Sequence, residues 1–140
     1  MNKDTIFQNI RNQGGRLTRL RKEIVQILVA EDCLLSSAKL LSRLNKLNLT
    51  PNRSTIFREL LFLTNKQIIL KNNISGVDYY EIPCEQHHHH HLVCLKCHAI
   101  SKIEIEDQLA AQERKIARQN RFKIINHSLE FYGYCRKCQA

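Results

Sequence analysis

Two C-x-x-C pairs, Cys94–Cys97 and Cys135–Cys138, constrain this chain more than any other feature. Two residues between paired cysteines let both thiols turn onto one ion. Four sulfurs at ~2.3 Å complete the tetrahedral shell that zinc favours. Residues 98–134 leave room for a strand, a helix and a strand, so a shared ion ties the C-terminal strand back to the first. Such a four-cysteine site is closed and structural, with no open position for chemistry. The alternative is two reduced thiol pairs, or one redox pair. A thioredoxin-like pair must open a helix in a βαβ context, and the sequence around these pairs lacks one.

The chain has 140 residues, enough for one large domain or two small ones. A hydrophobic content of 43% with 25% charged residues excludes a disordered chain. No run approaches the roughly 18 apolar residues of a membrane span, and the first residues carry no signal-peptide core. A cytoplasmic protein with no membrane partner is expected. There, six cysteines argue for metal before disulfides. No histidine precedes His87, so metal-binding residue types concentrate in the second half. The net charge is +9, and residues 1–60 hold eleven Lys or Arg against five Asp or Glu. A basic first half and a Cys/His-rich second half predict two modules, residues 1–83 and 84–140. A solvated surface accounts equally well for the charge, which alone says only that phosphate is a plausible partner.

Spacing and capping residues predict the elements. Residues 2–12 form a short helix ended by Gly14-Gly15. Thr18 caps a helix from about Arg19 to Glu31, and Ser36 or Ser37 caps the next. Asn52-Arg53-Ser54 caps a third, Thr55 to Asn65. Extended runs Ile68–Lys71 and Val77–Ile82 flank a turn of composition Asn72–Gly76. Three helices and a hairpin predict a winged helix-turn-helix. Pro83–Gln86 reads as a hinge. Beyond it, Leu92–Cys94, Ile100–Ile105, Phe122–Ile125 and Ser128–Tyr134 read as strands, and Asp107 caps a helix to about Asn120. The fold class is therefore α+β: an N-terminal winged helix-turn-helix, then a small α/β domain with the four-cysteine zinc site.

The run His87–His91 is the one low-complexity segment. In an extended chain its side chains alternate faces, His89 and His91 one way, His88 and His90 the other. One strand can then feed two metal sites, with Cys84 folding back toward the His89/His91 side. Imidazole plus thiolate suits zinc, whereas a carboxylate-rich site suits iron or manganese. The competing reading is a solvated polar strand, or an artificial tag.

From Arg16 to Cys138 the chain resembles the ferric uptake regulator superfamily of metal-dependent transcriptional repressors. Gly15–Arg21 is similar to the family's basic start of a helix, and Ser54–Leu60 to its recognition-helix motif. His87–Cys97 resembles its histidine run and first zinc knuckle. Asn126–Glu130 and Tyr132–Cys135 resemble its closing strands. The resemblance implies a homodimer whose C-terminal domain dimerises and binds metal, and whose winged helix reads an AT-rich inverted repeat in double-stranded DNA. It places Phe57 and Arg58 at the major groove and Arg16 in the minor groove. Arg19, Arg21 and Thr55 hold phosphates, and Ser54 belongs to the same interface. The family usually has Tyr where Phe57 stands; the ring still meets a thymine methyl, without the hydroxyl bond.

For the sensor, the resemblance to iron-type members weakens. Leu34-Leu35 and Lys102 stand where they place a histidine and a carboxylate. The zinc uptake regulator branch is the nearer resemblance and implies Cys84, His89 and His91 as ligands. Its aspartate falls near Leu70, and Glu81 substitutes as the fourth ligand. An additional site is implied at His88, His90 and His127, its glutamate falling near Ala110, with Glu106, Asp107 and Glu113 close by. The expected cofactors are structural zinc and a second divalent metal, zinc before iron. The expected function is a non-enzymatic, zinc-responsive repressor of metal-uptake genes. Iron- and peroxide-responsive regulators are the alternatives within the family, and a zinc-buffering protein is the alternative outside it. A hydrolytic zinc enzyme needs an open metal position and a positioned acid or base, and no such motif appears.

Overall fold

The structure, a computed structural model, describes residues 2–31, 34–83, 89–105, 108–125, 127 and 129–139. The predicted ligands Cys84 and His88 and the predicted cap Asp107 lie outside the described residues. Two compact units form, Met1–Glu85 and Gln86–Ala140.

The first unit is built on capped amphipathic helices. Helix α1 (Lys3–Asn12) starts at Asn2, whose side chain accepts the Asp4 N–H. Helix α2 (Arg19–Ala30) starts at Thr18, whose hydroxyl accepts the Arg21 N–H at 3.1 Å. Ser36 caps α3 (Ser37–Lys46), and Asn52 caps α4 (Arg53–Asn65) through a 2.8 Å bond from the Thr55 N–H. Each cap satisfies an amide that the helix itself leaves open, typically contributing ~1 kcal/mol. The apolar faces meet in one core that includes Ile6, Ile24, Leu28, Leu44, Leu60 and Leu63.

A three-stranded antiparallel sheet completes this unit in the order β1-β3-β2. Its members are β1 (Leu35–Ser36), β2 (Leu70–Ile74) and β3 (Val77–Glu81). The hairpin is tighter than its composition predicts. Asn72 and Asn73 belong to β2, and the turn is Ser75-Gly76 alone, both at positive φ (52° and 81°). Two left-handed residues match the twist of the flanking strands, which a looser five-residue turn would not. Asn73 steadies the turn by accepting the Gly76 N–H and donating to Asp78. The short β1 has no sequence signal of its own; it exists because Leu35 and Ser36 pair with Tyr80 and Tyr79.

The second unit is a sheet of order β5-β4-β6 with one helix. Strand β4 (His89–Cys94) lies at the centre. It runs antiparallel to β5 (Ile100–Glu104) and parallel to β6 (Glu130–Gly133), with α5 (Gln108–Gln119) between them in sequence. The central strand begins inside the histidine run, earlier than the predicted Leu92. Residues 122–125 do not form the predicted strand. Phe122 is held instead at the helix end, its N–H donating to the Ala117 carbonyl at 2.9 Å. Among the described residues no helix is long and apolar enough to cross a membrane.

Candidate metal centres and nucleic-acid interface

The parallel pairing of β4 with β6 brings the two knuckles together. Cys94 stands opposite Gly133, so the C-terminal ends of both strands lie side by side and each continues into a C-x-x-C turn. In the first turn the Cys94 carbonyl accepts the His98 N–H at 2.9 Å, and His98 takes a left-handed φ of 55° to reverse the chain. In the second the Cys135 carbonyl accepts the Cys138 N–H at 2.7 Å. All four Sγ atoms lie within 4.8 Å of one another, and Cys97 and Cys135 are 3.7 Å apart. Sulfurs at ~2.3 Å from one tetrahedral ion stand ~3.8 Å from each other, so the donor set and spacing fit zinc.

The electrostatics of the cluster call for a cation. The Cys135 N–H donates to Cys94 Sγ at 3.4 Å. With the amides of Cys97 and Lys96 it draws the Cys94 thiol down to about 6. Cys138 is pushed up to about 12, first by its hydrogen bond with Cys135, then by burial and the other two sulfurs. Easy loss of the first proton and strong resistance to loss of the last mark an anion cluster that cannot complete its charge alone. A divalent cation removes that resistance.

Strand β4 sorts the histidines onto two faces. His89 and His91 share one, their rings edge to face with centroids 5.2 Å apart. Across the ladder, Lys102 stands opposite His91 and Glu104 opposite His89, on that same face. His90, buried, faces the other way, its ring centroid 5.4 Å from that of His127. His127 Nδ1 lies 3.4 Å from a carboxylate oxygen of Glu113 on α5. Glu81 ends β3 in the first unit, buried, and accepts from the Asn72 amide at 3.0 Å. Leu35 is buried in β1 and Leu70 lies in β2, so hydrocarbon occupies both positions where the resemblance places ligands.

The predicted DNA contacts separate into two groups. Ser54, Phe57 and Arg58 form an exposed stripe on α4 at helical spacing, with Phe57 59% exposed. Thr55 is half-buried beside them, and Arg16 and Arg19 are exposed. Arg21 is different and does not present an open charge to phosphate. It is buried, donates through Nε to Glu59 at 2.8 Å, and lies over the Phe62 ring at 3.8 Å. Position 21 lies three, four and seven residues before Ile24, Val25 and Leu28, which puts it on the inner face of α2, where the sequence showed only another arginine.

The profile of the Ferric uptake regulator family matches residues 12–132. The chain belongs to that family. It is 34% identical to the Ferric uptake regulation protein of Bacillus subtilis (strain 168), over 98% of this chain and 94% of that one. The crystal structure of the Vibrio cholerae ferric uptake regulator superposes with a TM-score of 0.79 at 28% identity, covering 91% of this chain and 98% of that one. A zinc-bound manganese uptake regulator superposes at 0.73 with 30% identity, over 93% and 98% of the two chains. As a member of the ferric uptake regulator family, this chain is a metal-dependent transcriptional regulator.

Of two carboxylates beside the histidines, Glu113 is among the candidates read from the sequence and Glu104 is not. Glu113 stands one helical turn beyond Ala110, the position the family pattern favours, so its approach to His127 depends on how α5 is rotated. Glu104 faces His89 because of the β4–β5 register, which no local motif announces.

Proposed function

We propose that this chain is a zinc-responsive member of the ferric uptake regulator family. It represses metal-uptake genes in the cytoplasm as a homodimer on an AT-rich inverted-repeat operator. The observation that carries the preference for zinc is Lys102 standing opposite His91. An ammonium on the ligand face opposes a cation held by five or six oxygen and nitrogen donors. A four-coordinate site of Cys84, His89, His91 and Glu81 tolerates it better, and thiolate with imidazole favours zinc. The closed site of Cys94, Cys97, Cys135 and Cys138 holds a structural zinc. A further metal is assigned to His88, His90 and His127, with Glu113 added from its contact with His127.

Each group has a physical task. Cys84 lies in the predicted hinge and Glu81 at the end of the wing before it, so metal captured there with His89 and His91 biases the DNA-binding modules toward one arrangement. Phe57 and Arg58 read base edges in the major groove. Arg16 reaches the minor groove, and Arg19, Ser54 and Thr55 hold the backbone. Iron is the second reading, favoured by relatives named for ferric regulation.

The test measures binding to an AT-rich inverted-repeat duplex selected from a random pool. Zinc-loaded protein, mildly chelated protein and the Cys84→Ser variant are compared. Chelation and the substitution are each expected to weaken binding by about tenfold or more. Equal affinity in all three rejects the switch. Full restoration by ferrous iron but not by zinc favours the second reading.

A further inference from the structure

The buried guanidinium of Arg21 joins three segments that the DNA-binding reading treats separately. Its Nε and one Nη donate to the two carboxylate oxygens of Glu59 on α4, at 2.8 and 3.2 Å. Its other Nη donates to the backbone carbonyl of Arg16 at 2.7 Å. Its plane lies over Phe62, also on α4. The loop it grips is already pressed close. A Cβ on Gly15 would meet Ile10 at 2.8 Å and the Phe62 ring at 2.9 Å, so only glycine lets the chain pass there. The Gly15 N–H in turn donates to the Ile10 carbonyl at 2.8 Å.

Glu59 is the residue after Arg58. The bond to it and the bond to the Arg16 carbonyl leave one planar group, so the Arg16 backbone and α4 are held in a fixed relation. A guanidinium supplies two parallel donors for the carboxylate and a third for the carbonyl. An ammonium is a point donor and cannot reproduce that fork.

We propose that the Arg21–Glu59 pair positions Arg16 relative to the exposed stripe of α4, so that minor-groove and major-groove contacts form on one duplex together. The proposal rests on the DNA-binding reading above. Neither residue of the pair touches DNA; both act through Arg16, which makes them positioning residues.

The experiment uses the full-length, zinc-loaded chain and the selected duplex in three further forms. In one, flanking A·T pairs become G·C, which puts an amino group in the minor groove. In another they become I·C, which does not. In the third, thymines become uracils, which removes major-groove methyls. Arg21→Lys is expected to weaken binding to the parent duplex by about tenfold. It should abolish the preference for A·T and I·C over G·C, and leave the thymine-over-uracil preference intact. In an Arg16→Ala background, Arg21→Lys should change affinity less than about twofold, since its effect passes through Arg16. Glu59→Gln should give the same pattern, and thermal unfolding monitors the fold of each variant.

Equal weakening on every duplex, or a full additional loss in the Arg16→Ala background, overturns the proposal. So does unfolding of both Arg21→Lys and Glu59→Gln, which would make the pair a folding element. A wild-type chain that binds the selected duplex no better than a scrambled one removes the DNA-binding reading itself, and the proposal with it.

Discussion

The two units solve the problem of small size in opposite ways. Among the described residues, every buried apolar side chain except Val93 and Cys94 belongs to the first unit. There, four helices and a sheet enclose Ile24, Leu44 and Leu63 almost completely. The second unit leaves Leu92, Ile116, Phe122, Phe131, Tyr132 and Tyr134 exposed, and Ile125 is 88% exposed. A fold of that size with so little buried hydrocarbon is not stable alone. The proposed zinc at the four sulfurs and the proposed second copy of the chain are the sources of stability left to it. The difference teaches that one unit is held by water exclusion within the chain, and the other by what it binds.

The sharpest way to break the contrast is to remove the ion. Cys97→Ser should abolish tight zinc retention and the cooperative unfolding of the second unit, while the first unit keeps its helical circular dichroism. Zinc analysis beside amide hydrogen exchange across both units checks this. Loss of protection throughout the chain would mean that the two units do not fold independently.

A cavity in the other unit gives the converse. Leu63→Ala should cost about 2–5 kcal/mol in unfolding of the first unit, measured by urea titration, with zinc content unchanged. A third expectation concerns the exposed apolar surface of the second unit. Phe122→Asp and Ile125→Asp together should shift the chain from dimer toward monomer in sedimentation, since a charge cannot be covered by hydrocarbon at an interface.

Acid sharpens the comparison without a mutation. The Cys94 thiol is depressed from the ordinary thiol range to about 6, so the stability its thiolate contributes is complete above that ordinary range and is lost progressively as pH falls toward about 6. Since zinc holds thiolates and not thiols, acid should release the proposed zinc and unfold the second unit ahead of any change in the first, which zinc analysis and circular dichroism across a pH titration check. The smallest effect is expected at the hairpin. Lys71 bonds Asp78 there and holds its carboxyl below the ordinary range. The contribution is present above the usual carboxylate value and lost as pH falls through the depressed one. The pair is largely solvated, so Asp78→Asn should barely move the unfolding midpoint.

Local chemistry is what a sequence displays most openly. Thr18, Ser36 and Asn52 announce their helices because a cap acts within three residues. The four cysteines converge because each knuckle closes over four positions, and strand pairing then needs only to bring two ends together. What depended on long-range packing was not legible. The burial of Arg21 required Glu59, which is 38 residues away. The loss of the strand at residues 122–125 followed from the turn that ends α5. The sequence named Glu113 among three candidate carboxylates, but its approach to His127 depended on how that helix is rotated.

The parallel alignment of β4 and β6 has a consequence for how the molecule is made. Antiparallel neighbours zip up as they are synthesised, but a parallel neighbour has to wait for a whole crossover connection. During translation the first knuckle therefore emerges with two sulfurs and no complementary pair, and it stays in that state until β6 has left the ribosome. With zinc at the four sulfurs, as proposed, the ion is gripped fully only once the crossover is finished, and its capture then reports that the C-terminal half has been threaded correctly.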